Sequence, residues 1–225
     1  MPSNPQVITI DGPAGAGKST VARRLAKILK FSYLDTGAMY RALTLKALRH
    51  KIPLENEDKL VELARQTTID LTDGSQGVKV FLDAEDVSEE IRSLEVTNNT
   101  FYIARSPKVR EIMVGWQREI GKKRGVVAEG RDLGTVVFPQ AFRKFYLDAN
   151  LEERSRRRVK ELRDKGKEVN DESLLKDLNE RDQKDMTRKV GPLKKAEDAI
   201  FIDSTDLSID QVVEKILSYI KRQDG

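Results

Sequence analysis

Cysteine is missing from all 225 residues and histidine occurs once, as His50. Without thiols there is no disulfide framework and no thiolate zinc site, and one imidazole cannot supply a multi-histidine metal cluster. Long apolar runs are missing as well: Val7–Ile10 is short, no cationic segment precedes it, and nothing later approaches the length of a bilayer span. The expectation is a cytoplasmic protein without a secretion signal or membrane helix. A strong excess of one charge is also lacking, because 41 Lys and Arg stand against 37 Asp and Glu for a net charge of +4. Such mixed charge, with only 6% aromatic residues, argues against a nucleic-acid partner or a translocase.

What is present is enough apolar sequence, 38%, to bury one sizeable core beneath a surface rich in charge, 35%. Five short and mostly continuous apolar runs read as buried strands of a parallel sheet: Val7–Ile10, Phe31–Leu34, Val126–Ala128, Lys144–Leu147 and Ala199–Ile202. Each is followed at once by an acid, namely Asp11, Asp35, Glu129, Asp148 and Asp203. In open α/β sheets ligands collect beyond the carboxyl ends of the strands, so these acids predict a common rim. Val21, Leu25, Ile28 and Leu29 form a helical stripe after the first run. A cleaner stripe runs from Ile209 to Ile220, opened by Ser208 and Gln211 as a capping box.

Thr68–Thr72 and Val78–Leu82 alternate around Asp73–Gly77, which predicts an antiparallel hairpin. A ribbon interrupts a βαβ series, so residues 67–97 are expected to be a small β insertion in a core of 1–66 and 98–225. Residues 151–167 hold eight basic and four acidic side chains. Pairs such as Glu152/Arg156 and Glu153/Arg157 suit a solvated helix, and the basic excess also suits a helical lid over an anion. Trp116 recurs with Val109, Ile112 and Ile120 at helical spacing and reads as core, while His50 reads as an exposed helix-end residue.

Directly after the first strand, Gly12-Pro13-Ala14-Gly15-Ala16-Gly17-Lys18-Ser19 matches G-x-x-x-x-G-K-[ST], with Thr20 opening an amphipathic helix. Glycines let successive N–H groups close around phosphate oxygens, the helix start adds free donors, and Lys18 adds a point charge. The Ser19 hydroxyl is placed to reach a phosphate-bridging Mg²⁺. The pattern with this context predicts binding of a nucleoside triphosphate. A guanine-reading N-K-x-D and a γ-phosphate-sensing D-x-x-G are both absent, which disfavours a switch GTPase. A small kinase needs a second, anion-holding pocket. Arg41 and Arg131 stand at the ends of the second and third strands, and Arg181, Asp185 and Arg188, at i, i+4 and i+7, are expected on one helical face.

The blocks GPAGAGKST, LDTGAMYRA, Glu95-Val96-Thr97-Asn98 leading to Pro107–Arg110, EGRDLGTVVFP and RDQKDMTR, in this order, resemble the bacterial cytidylate kinases of the nucleoside monophosphate kinase family. The likeness spans Val7 to Tyr219. It implies a three-layer α/β P-loop kinase core with a five-stranded parallel sheet, a nucleotide-binding insertion and a mobile lid. It also implies transfer of phosphate from ATP, with Mg²⁺, to CMP or dCMP in pyrimidine metabolism by a protein expected to be monomeric. The alternative is a regulatory ATP-binding module without acceptor turnover. By resemblance, Thr36, Arg110, Asp132 and Arg188 would face cytosine. Arg41 and Arg131 would hold the acceptor phosphate, and Arg181 with Asp185 would meet the ribose. Lys18, Arg131 and Arg188 would be catalytic, and Arg154, Arg157 and Arg158 would reach ATP from the lid. Glu129 stands where relatives often have an aspartate that holds a magnesium-bound water, and Phe101 where some have a serine near the sugar.

Overall fold

The computed structural model describes residues 6–74, 77–164, 166 and 168–221. Five parallel strands form the central sheet: β1 (Val7–Asp11), β2 (Ser32–Asp35), β6 (Val126–Gly130), β7 (Arg143–Asp148) and β8 (Ile200–Asp203), in the spatial order β2-β6-β1-β7-β8. These are the five runs read from the sequence, each extended or shifted toward its acidic neighbour by one or two residues. The acids thus close the strands instead of following them. The register pairs Asp35 with Glu129, Asp11 with Gly130 and Tyr146, and Asp148 with Asp203, so the carboxyl ends form one edge.

Both faces of the sheet are covered, which is why its strands read as continuous apolar runs. Ile8, Ile10, Phe145 and Leu147 pack beneath α1 (Lys18–Leu29) and α8 (Ile209–Lys221), through Val21, Leu25, Val212 and Ile216. On the other face, Leu34, Val126 and Ala128 pack against α2 (Thr36–Arg49), α3 (Glu57–Arg65), α4 (Leu94–Arg105) and α5 (Pro107–Lys123). Trp116 packs partly buried against this second core, and His50 is the exposed C-cap of α2.

The hairpin is present as β3 (Ile69–Gly74) and β4 (Gly77–Leu82), joined by a short third strand β5 (Glu85–Asp86). Its tip at residues 75 and 76 lies outside the described residues. The ribbon has no core of its own: Val80, Leu82, Val87 and Ile91 pack on Ala38, Ala42 and Leu45 of α2. Lys46 pairs with Asp83 at 2.6 Å, and Arg49 holds both Glu85 and Glu90. The ribbon is fastened to the helix that also carries Thr36 and Arg41.

Residues 151–164 are one helix, α6 (Leu151–Asp164), followed by α7 (Asp171–Thr187), which packs mainly against it. Positions 165 and 167 of the expected lid lie outside the described residues. Helix α7 ends at Thr187 and Arg188 is its C-cap, with φ −63° and ψ 141°, so the chain leaves the helix after Arg188. Arg188 Nη1 lies 3.9 Å from Asp185 Oδ1, so the two remain neighbours across the last turn.

Candidate active site

The loop from Gly12 to Gly17 leaves the central strand β1 and feeds α1. At Gly12 φ is +148°, and a Cβ would collide with the Leu147 carbonyl of β7, so no side chain is admitted where the loop turns. Gly17 is the N-cap of α1, with no side-chain cap and no acid in the first turn. The helix start therefore keeps its orphan N–H groups and its positive dipole end for an anion. Lys18 is buried, its Nζ donating to the Pro13 carbonyl at 2.6 Å across the loop, while Ser19 and Thr20 are exposed.

Electrostatics around Lys18 are unfavourable in the absence of an anion. Burial, then the Arg131 charge, push its ammonium down to a pKa of about 7, against the opposing pull of Glu129. Arg181 is held down to about 10 by burial and by Arg131, with Arg41 and Arg158 adding to it. Among the described residues it makes no ion pair or hydrogen bond. Lys18, Arg131, Arg181, Arg41 and Arg158 thus converge on one cleft, an arrangement suited to several phosphate charges at once.

The second part of the site is built around Asp132, just beyond β6. Its carboxylate is buried between the Arg110 guanidinium and Arg188 Nη2, the latter at 3.4 Å. Burial pushes Asp132 upward and the two arginines only partly offset it. Arg188 also donates to the Gly191 carbonyl, which fixes it beside Asp132. Gly191 has φ +57°, and a Cβ there would strike both Asp132 and Arg110, so the close approach needs glycine. Thr36 donates its hydroxyl to the Glu129 carbonyl at 2.7 Å, which keeps its oxygen lone pairs for an incoming donor.

Arg131 donates to Asp185 at 2.9 Å, and with Arg181 and Arg188 it holds that carboxyl below the ordinary range despite burial. Arg41 pairs with Asp35 at 3.2 Å, and Asp35 also caps α2 by accepting from the Ala38 N–H at 2.7 Å. Three buried polar atoms here lack a partner: the Arg41 Nε, the Arg110 Nε and the Tyr40 hydroxyl. Buried polar groups are ordinarily paired, so a site with three orphans is one that a polar ligand completes.

Tyr40, Tyr33 and Asp182 of this site were not singled out from the sequence, whereas Asp11 was read there as one of the rim acids. Tyr40 lies under the Arg110 guanidinium, 5.6 Å from ring centroid to Cζ, one helical turn after Thr36, and that spacing was its only signal. Tyr33 donates to Glu129 at 2.6 Å. Asp11 accepts from the Leu133 and Gly134 N–H groups at 2.9 and 2.8 Å, and burial raises it to about 6. Asp182 of α7 is buried and accepts from the Ala14 N–H of the loop at 3.4 Å.

The basic helix α6 spends its arginines unequally. Arg154 is buried, bonded to the Ala149 and Ala14 carbonyls and to Asp182. Arg157 is bonded to Glu153, Ser204 Oγ and the Ser204 carbonyl beside Gly17. Among the described residues Arg158 pairs with Glu161 of its own helix alone, and its charge faces Arg181. For a divalent cation, the Ser19 hydroxyl and the Glu129 carboxylate are hard oxygen donors of the kind Mg²⁺ takes. No cluster of three or more His, Cys, Asp or Glu stands ready to cage a metal among the described residues, which fits an ion carried largely by phosphates.

Comparison with known proteins gives one consistent family. Residues 8–222 match the family description Cytidylate kinase. The chain is 53% identical over 215 residues to a cytidylate kinase of Caldanaerobacter subterraneus subsp. tengcongensis, covering 96% of this chain and 94% of that protein. It is 48% identical over 225 residues to one from Aeromonas salmonicida, covering 100% and 98%. A crystal structure of an uncharacterized protein from Eubacterium ventriosum shares the fold alone, with a TM-score of 0.53 at 13% identity over 97% of this chain and 99% of that one.

Proposed function

The chain belongs to the cytidylate kinase family and phosphorylates CMP with ATP as donor, and from that premise we propose how its residues divide the work. The loop of residues 12–20, through its uncommitted backbone N–H groups, and the Lys18 ammonium hold the ATP phosphates. Arg41 and Arg131 hold the CMP phosphate. Arg181 and Asp185 take the ribose, and Thr36, Arg110, Asp132 and Arg188 take the cytosine. The observation that carries the base assignment is the buried Asp132 carboxylate flanked by two guanidiniums. That set accepts from an exocyclic amino group and donates to a ring nitrogen and carbonyl, the pattern cytosine offers; uracil inverts it at the exocyclic group and again at the adjacent ring nitrogen, which carries a hydrogen.

A CMP phosphate oxygen attacks the γ-phosphorus in line, the bond to the β–γ bridging oxygen breaks, and CDP and ADP result. The attacking oxygen is already anionic, so the chain needs no general base. Rate comes from placement and from positive charge beside the transferring group. Lys18 and Arg131 supply that charge in the cleft. Arg188, fixed beside Asp132, contributes by holding the acceptor's base end. Mg²⁺, when bound with the donor, neutralises the β- and γ-phosphates; Ser19 would hold it directly and Glu129 through water. The outer part of residues 151–167 closes over the donor, with Arg158 the arginine most free to reach it, and water is kept from the reactive phosphate. Free nucleotides in the cytoplasm are the partners, with the protein acting as a monomer.

The test is ADP release with ATP–Mg²⁺ across CMP, dCMP, UMP, AMP and GMP. CMP should exceed UMP in kcat/KM by at least about tenfold, because a mismatched base leaves buried polar groups unpaired. Equal rates with CMP and UMP would remove the role given to Asp132. The dCMP arm reports on Phe101, which here lies edge-on to Tyr102 beneath Arg105.

A further inference from the structure

A buried ion pair flanks the donor loop, outside the groups that the proposed function assigns to either substrate. Arg154, in the first turn of α6, and Asp182, in the middle of α7, are bonded to each other and both are buried. Together they occupy the polar backbone groups of a single residue of the donor loop. Arg154 Nη1 donates to the Ala14 carbonyl at 3.1 Å, and Asp182 Oδ1 accepts from the Ala14 N–H at 3.4 Å. Gly15, the next loop residue, sits against the Arg154 backbone.

Asp182 is followed three residues on by Asp185, which grips Arg131. Residues at i and i+3 lie on one helical face. Helix α7 packs mainly against α6. One carboxylate of that face fastens it to the loop that takes ATP, and the other fastens it to an arginine of the acceptor pocket. Arg181, beside Asp182 in sequence, makes no ion pair among the described residues.

We propose that Asp182, through its pair with Arg154, is a positioning residue that sets the spacing between the donor loop and the acceptor groups carried by α7. The assignment of donor and acceptor to these two sides rests on the function proposed above. In this arrangement Arg154 acts as a strut: its Nε and Nη1 are committed to Asp182 and to two carbonyls. If Ala14 is released from α7, each half-site keeps its own contacts and only their mutual placement is lost. A displacement on the order of 1 Å between reacting groups costs about a hundredfold in rate, so even partial loosening is measurable.

The experiment compares the parent with Asp182→Asn and with the double variant Arg154→Met, Asp182→Leu. The double variant removes both charges together, which avoids leaving one buried and unpaired. Four quantities are read: Tm, the Kd of ATP alone, the Kd of CMP alone, and kcat. The expected result for the double variant is a Tm near that of the parent, each Kd within about threefold, and kcat lower by about tenfold or more. Asp182→Asn should show the same separation of kcat from binding. A double variant with kcat within about twofold of the parent would overturn the proposal, and so would one that does not fold, since that assigns the pair to stability alone. Failure of the base assignment is distinguishable, because the comparison can be made on whichever acceptor nucleotide the parent turns over.

Discussion

Burial and the neighbouring Arg131 charge hold Lys18 to a pKa of about 7. The proton missing near pH 8 should return when triphosphate oxygens surround the amine. ATP binding is therefore expected to take up about one proton at pH 8 and almost none at pH 6. Calorimetric titration in buffers of different ionisation enthalpy measures this, and no buffer dependence at pH 8 would remove the argument. Asp132 supports a second expectation. In Asp132→Asn the amide can both accept and donate, so the CMP-to-UMP ratio of kcat/KM should narrow about tenfold or more, with CMP losing most. Retention of the parental ratio would show that base choice lies elsewhere.

The helix α2 begins at Asp35, whose carboxylate caps it and also pairs with Arg41. Asp35→Ala should cost about 1 kcal/mol of stability from the lost cap and raise the KM for CMP, because Arg41 loses the partner that orients it. Thermal melts and initial rates test both halves together. Along α6 the arginines should separate by position. Arg154→Ala leaves Asp182 buried and unpaired and should lower Tm. Arg158→Ala, whose partner Glu161 is one turn away on the same helix, should leave Tm nearly unchanged and cut kcat by about tenfold. If Arg158→Ala turns over at the parental rate, that residue does not reach the phosphates.

Over the whole molecule, two buried groups of opposite sign give stability an opposing response to pH. Asp11 is raised from 3.8 to about 6, so the folded state binds more protons than the unfolded chain between these values. Stability then falls as pH rises through that window, by on the order of 3 kcal/mol from this group. Lys18 is lowered from 10.5 to about 7, so the unfolded chain binds more protons above pH 7 and stability rises with pH there. Lys18→Met should accordingly melt higher than the parent at pH 6, by a margin that shrinks toward pH 9, while losing turnover. A margin independent of pH would contradict the placement of that charge. The five strands, the phosphate loop and the hairpin were legible along the chain because strand burial, glycine spacing and period-two alternation are local properties. The order β2-β6-β1-β7-β8 was not, nor was the end of α7 at Thr187, which leaves Arg188 as its C-cap. Tyr40 and Asp182 were likewise silent, since a buried carboxylate and an orphaned hydroxyl have no distinguishing spelling. Residue types and their periods determined which chemistry the chain could hold; only packing decided which charges meet. The reason is physical: Coulomb and desolvation energies depend on distance and burial, and residues such as Asp182 and Ala14, 168 positions apart, acquire both only on folding.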